Sequence, residues 1–196
     1  MACVVLMVAA ACGGGNGDGG YDSPILNEDV PVANLTDLPD IEHSRIEMLD
    51  LMERVRDEVS RLAPATQPWR WNREESRSGC VQKESGLRGV SLATQNLISD
   101  APLTDDEWAA AFPVVERLTR ESGLGTVTVM ANASRNHDVR FSSDDGRTLV
   151  FGTAEASVIA GRIECRRSAT TATPAPSPLP TTTGPVPTRT TGRGGS

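Results

Sequence analysis

Four cysteines, two histidines and several adjacent acids are the residues of this 196-residue chain whose chemistry could go beyond packing. Cys3 and Cys12 belong to the start of the chain, where an apolar stretch (ACVVLMVAAA, residues 2–11) ends in small residues and is followed by Cys12 and then by Gly13, Gly14 and Gly15. A short apolar segment closing on small residues is the pattern of a secretory signal. A cysteine placed directly after it is positioned to become the first mature residue and to take a diacylglycerol on its thiol. Residues 1–11 are therefore expected to be a lipoprotein signal peptide and Cys12 the lipidation site, although Ala9 stands where leucine is usual and no Lys or Arg precedes the stretch. The competing reading, a buried strand, is weakened by the glycine run, which continues a core element poorly. Two acyl chains suffice for stable anchoring at about 0.8 kcal/mol per buried methylene. The expected partner of this end is a lipid membrane, and the expected location is its extracytoplasmic face.

Cys80 and Cys165 remain, an even number with one pairing, in a chain expected outside the reducing cytosol. A disulfide between them would close a loop of about 85 residues and stabilise a small core by roughly 4 kcal/mol. The alternatives are a metal site, for which His43 and His137 offer few further ligands, and a reactive thiol. No metal and no cofactor are expected. His137 next to Asp138 raises the question of a hydrolase triad, but no Gly-x-Ser-x-Gly elbow exists and neighbours on a strand point to opposite faces. The pairs Asp105-Asp106 and Asp144-Asp145 stand where helix capping and a turn already call for Asp. The glycines at 13–20 precede no Lys-Ser/Thr and read as linker rather than phosphate loop. No catalytic residue is expected.

The elements that must position these residues follow from periodicity. Residues 44–62 put Met48, Leu51, Met52, Val55, Val59 and Leu62 on one helical face, with Ser44 as expected N-cap, Glu47 completing a capping box and Pro64 as stop. A second helix opens at Thr104-Asp105-Asp106-Glu107, buries Trp108, Ala111, Phe112, Val115 and Leu118, contains Pro113 and stops at Gly123. Period-two alternation marks strands at Trp69 and Trp71, at Val90 and Leu92, and at Val127, Val129 and Ala131. It continues through a hairpin, Val139 and Phe141 to Leu149 and Phe151 about Ser143-Asp144-Asp145-Gly146, and a last strand through Ile159, Ile163 and Cys165. The expectation is an α+β domain, 41–167: an antiparallel sheet of about five strands, order α-β-β-α-β-β-β, with two amphipathic helices on one face and one disulfide.

Flanking segments differ in composition. Residues 12–40 are glycine-rich and carry six acids and no base, an acidic flexible tether, while 168–196 hold six prolines and nine threonines and read as a disordered tail. The net charge of −7 argues against nucleic acid, since phosphate neutralisation needs a basic face. Aromatics are only 4% of the chain, so the core must come from Val, Leu, Ile and Ala.

Trp69 and Trp71 before Ser78-Gly79-Cys80, Asp106-Glu107-Trp108 opening a helix that runs through Val114 and Val115 to Gly123, His137-Asp138-Val139, Gly146 in the hairpin, and Gly161 to Cys165 recur in order over residues 44–167. With the lipoprotein signal, they resemble the LppA-like lipoproteins of mycobacteria and related actinobacteria. The resemblance implies an anchored envelope protein with no established catalytic activity. The function expected is that of a cell-envelope lipoprotein acting as a non-enzymatic binding module for another envelope protein, a glycan or a lipid, through its sheet face or the loop from Asn72 to Gly89. The alternatives are a cell-wall or lipid hydrolase using His137 and, more weakly, a carrier holding an apolar ligand between helices and sheet.

Overall fold

The computed structural model describes residues 34–82 and 85–169. Helix α1 spans Ile41–Leu62 and buries Met48, Leu51, Met52, Val55 and Val59, the stripe expected from spacing. Its cap is Asp40, whose carboxylate accepts from the His43 amide at 2.9 Å. The expected cap, Ser44, lies instead one turn inside the helix and is buried, because Asp40 offers the same cap chemistry with Ile41 as the first core residue. Residues 34–40, read from composition as tether, form a turn that buries Leu35 and Leu38. Helix α2, Asp105–Glu121, starts with the expected capping box between Thr104 and Glu107 and buries Trp108, Ala111, Val115 and Leu118. Gly123, at φ +84, ends it.

Among the described residues the strands number eight, not about five, and four stand on each side of α2 rather than two and three. They are β1 (Arg70–Asn72), β2 (Ser76–Val81), β3 (Arg88–Ala93) and β4 (Asn96–Ser99), then β5 (Thr126–Ala133), β6 (Asn136–Ser142), β7 (Arg147–Thr153) and β8 (Ser157–Arg166). All pairings are antiparallel. The sheet runs β1-β4-β8-β7-β6-β5, with β3 joining the same edge of β8 as β4 and carrying β2 on its far side. In effect 88–99 is one long strand interrupted at Thr94-Gln95. Thr94 spans the gap: its amide donates to Gly161 O at 3.0 Å, and its hydroxyl oxygen accepts from Gly161 N at 3.1 Å. The expected α+β class, and the hairpin from Val139 to Phe151, are what the structure contains. Of the strands that periodicity did not mark, β2 has no buried residue and so nothing alternates along it, while β4 does alternate, with Leu97 and Ser99 buried, but over only four residues.

Both helices pack on the face that carries Leu92, Leu97, Val139, Phe141, Leu149, Phe151, Ile159 and Ile163. Cys80 and Cys165 are bonded, with Cα atoms 5.8 Å apart, and tie β2 to β8 across β3. Gly89 lies where a Cβ would come within 2.4 Å of Arg166 O and 2.9 Å of Cys165 Sγ, so only glycine lets β3 pass the bridge.

A guanidinium is buried in the interior. Arg166 is 1% exposed, and its Nη2 lies 3.3 Å from Asp145 Oδ2 in the β6–β7 turn. Asp145 also accepts from Arg147 Nε at 2.9 Å and from the Ser143 hydroxyl, and Arg147 reaches Glu47 of α1 at 3.6 Å. Burial pushes the Asp145 carboxyl up, but those hydrogen bonds and the two guanidinium charges outweigh it and hold it below the usual carboxylate range. Removing one partner of a buried pair leaves the other uncompensated. Asp145→Ala is expected to lower the unfolding free energy by about 3 kcal/mol, read as a reduced urea midpoint. A midpoint unchanged from wild type would show that the pair is not what makes Arg166 tolerable there.

Candidate functional site

Each residue singled out for chemistry now has a place. Asp138 is half-buried, on the opposite face of β6 from His137, and desolvation pushes its carboxyl above the usual range. His137 is buried on the helix-facing side, where its ring lies 4.8 Å from that of Trp108 and nearly parallel to it. Trp108 in turn stacks on Phe151 at 4.7 Å. Both ring nitrogens of His137 are engaged: Nδ1 lies 3.0 Å from Asn132 Oδ1 on β5, and Nε2 lies 3.1 Å from Asp105 Oδ1.

Asp105 is the residue that sequence reasoning assigned to capping alone. Besides facing His137, its carboxylate accepts from the Arg135 amide at 2.7 Å and from the Ser134 hydroxyl at 2.7 Å. Arg135 sits at φ +58, a left-handed conformation that costs a non-glycine residue of order 1 kcal/mol and needs support from its surroundings. Asp105 supplies that support, joining the start of α2 to the β5–β6 turn. The Arg135 amide first, then Ser134 and His137, pull its carboxyl down to about 2. The carboxylate partner of His137 is thus 32 residues away in sequence, and no local pattern announced it. A triad of the serine-hydrolase kind needs a hydroxyl on one imidazole nitrogen and a carboxylate on the other. Here Asn132 holds the position of the hydroxyl, and Ser134 gives its hydroxyl to Asp105 instead.

The segment from Asn72 to Gly89, read as a loop, is largely the β2–β3 hairpin, whose pairing runs Ser76 with Ala93 to Val81 with Arg88. It lacks an apolar alternation because no residue of β2 is buried, which is why it reads as a loop. Val81 is 58% and Leu87 39% exposed near its tip. The base of the hairpin is braced by charge. Glu75 pairs with Arg45 of α1 and with Arg77 at 2.8 Å, and Arg77 pairs with Glu42. A groove of about 370 Å³ opens between the first turn of α1 and this hairpin, with Ile41, Glu42, Arg77 and Val90 among its walls. Leu35 reaches the turn of the hairpin as well, its amide donating to Gln82 Oε1 at 3.3 Å.

Cys12 lies outside the described residues, as do the expected signal peptide and most of the tether and tail. No helix among the described residues is long and apolar enough to cross a membrane. No group of three or more His, Cys, Asp or Glu side chains among them is arranged to hold a metal ion.

A family model, LppA, described as a lipoprotein confined to pathogenic Mycobacterium, matches residues 29–169. Two solved structures match part of the chain. LppA from Mycobacterium tuberculosis is 13% identical, with 66% of this chain and 79% of that chain covered at a TM-score of 0.49. A DUF4853 family protein from Actinomyces odontolyticus is 13% identical, with 70% of this chain and 75% of that chain covered at a TM-score of 0.44. No curated protein matches the sequence.

The Asp105 geometry has a pH signature. A carboxyl whose native pKa is lowered to about 2 from an ordinary 3.8 stabilises the fold above the ordinary value, and loses that contribution as pH falls through the native one. Asp105→Asn is therefore expected to be less stable than wild type at neutral pH, with the difference closing between about pH 4 and pH 2. Chemical denaturation repeated across that range reads it directly. A difference independent of pH would mean that the charge of Asp105 is not what holds the turn.

Proposed function

Since the chain belongs to the LppA lipoprotein family, we propose that it is anchored to the extracytoplasmic face of the cell membrane through an acylated Cys12 and presents its α+β domain as a non-enzymatic binding module. The anchor rests on the position of Cys12 directly after the apolar stretch at 2–11. The acids between Cys12 and Asp40 would be repelled by anionic headgroups and so hold the domain away from the lipid surface.

The observation that carries the binding role is the β2–β3 hairpin. It keeps Val81 and Leu87 in solvent while a disulfide and the Arg45, Glu75, Arg77 and Glu42 charges fix it to the body of the domain. A fixed surface loses little freedom on binding, which is where much of the cost of association lies. The ligand classes that suit such a surface are another envelope protein, a glycan or a lipid. Neither the hydrolase nor the carrier reading has an observation of its own. Asn132 and Asp105 already occupy both nitrogens of His137, and the groove beside α1 is walled in part by Glu42 and Arg77 rather than by apolar side chains alone.

The test is the intact mass of the protein purified from membranes, before and after reduction, alongside a Cys12→Ala variant. The expected result is a chain that begins at an acylated Cys12 and gains about two mass units on reduction, one hydrogen for each sulfur released. The variant should leave the membrane fraction. An unmodified Cys12, or a variant that stays in the membrane, would remove the anchor from this reading.

A further inference from the structure

The two edges of the sheet are built differently. The edge formed by β1 and β2 is broken at residues 73–75, where Arg73 adopts φ +66, and it is lined with charge: Arg70 pairs with Asp100 at 2.7 Å, and Arg77 and Glu75 bind α1. Interruption and charge both keep an edge strand from pairing with another chain, as a bulge does locally. The opposite edge is β5, TVTVMANA, eight residues with no charge and no proline. It hydrogen-bonds to β6 on one side, and its other side has no strand partner among the described residues. Val129 pairs in register with Val139, whose side chain is buried under the helices, yet Val129 is 57% exposed and Met130 39%, because the helix layer stops short of β5.

We propose that β5 is the seam of a homodimer, in which two copies pair antiparallel along their free β5 edges about a two-fold axis and join their sheets into one. The choice of occupant follows from charge. In a two-fold contact each residue near the axis meets its own copy, so any ionised side chain there opposes itself. A strand meant for a charged partner would carry the complementary charge, and β5 carries none. Valine and threonine are what a strand needs to accept its own sequence alongside. The register shift between Val129 and Ala131 places Met130 in a bulge, which leaves Thr126–Val129 as the regular stretch on which the pairing centres. The seam buries Val129 against its neighbour. It is independent of Cys12 and of whatever the β2–β3 hairpin binds, since that hairpin lies at the other edge.

The test is sedimentation of the full chain in a density-matched detergent, comparing wild type with Val129→Lys and with Val129→Thr. Wild type is expected to be a concentration-dependent dimer. Val129→Lys should weaken it at least roughly tenfold by placing two ammonium groups in a seam of uncharged side chains, and Val129→Thr should keep it. Since residue 129 is exposed, unchanged circular dichroism and melting of the lysine variant are expected alongside. Single cysteines stepped from Thr126 to Val129 give a second readout that needs no destabilising change: oxidative dimers should form best at one position and fall away on either side of it. A monomeric wild type would overturn the proposal and leave the edge to an extended segment of a different protein. So would a dimer that survives Val129→Lys and shows no cross-link along β5, which would place the contact elsewhere on the molecule.

Discussion

A guanidinium with almost no solvent access must have its charge answered locally, and in this fold the answer fixes three elements at once. Arg166 finds Asp145 in the β6–β7 turn, and Asp145 in turn holds Arg147, which reaches α1 through Glu47. Its neighbours in sequence do comparable work. Cys165 is bonded to β2, the carbonyl of Arg167 accepts from the first amide of α1 at 2.9 Å, and Arg167 Nη2 donates to Leu38 O at 3.3 Å. Three consecutive residues therefore join a turn, a hairpin and a helix start. The apolar core alone would fix none of these registers, because burial is non-directional. Ion pairing and a covalent bond supply the direction.

The cluster around His137 follows the same logic at the other end of the molecule. An imidazole, a carboxylate and a hydroxyl within a few ångströms of one another look like catalytic equipment, but what matters is which atom each one faces. Asp105 is shared among His137, Ser134 and the strained Arg135, and Trp108 covers the ring. Every group has a partner that secures the start of α2 to the β5–β6 turn. These contacts support the turn and tie it to the helix.

Much of this was legible in the sequence, where one physical rule acted on neighbouring residues. The α1 stripe, the Thr104 and Glu107 box and the turn at Asp145-Gly146 are short-range patterns, and the structure contains all three. What escaped was set by residues far apart. β2 has no buried side chain, so nothing alternates along it; it is a strand because β3 and Cys165 make it one. Ser44 and Asp40 satisfy the same capping rule, and the choice between them was made by the burial of Ile41. The pairing of Cys80 with Cys165 could be read by counting, whereas the pairing of His137 with Asp105 could not, since Asp138 was the nearer carboxylate and points the other way.

The place of β8 in the sheet bears on the order in which the protein can assemble. It is the last strand in sequence, yet it is bordered by β7 on one side and by β3 and β4 on the other, so the N-terminal strands have no backbone partner in the main sheet until it arrives. A chain that emerges from a ribosome or a translocation pore with its N-terminus leading exposes the Met48-to-Val59 stripe of α1 well before Ile159 and Ile163 can cover it. The segment from β5 to β8 is built of sequential neighbours and can close on itself; the first half must wait for residue 163. Whatever holds the early half during that interval, chaperone or membrane surface, meets an amphipathic helix with its apolar side open.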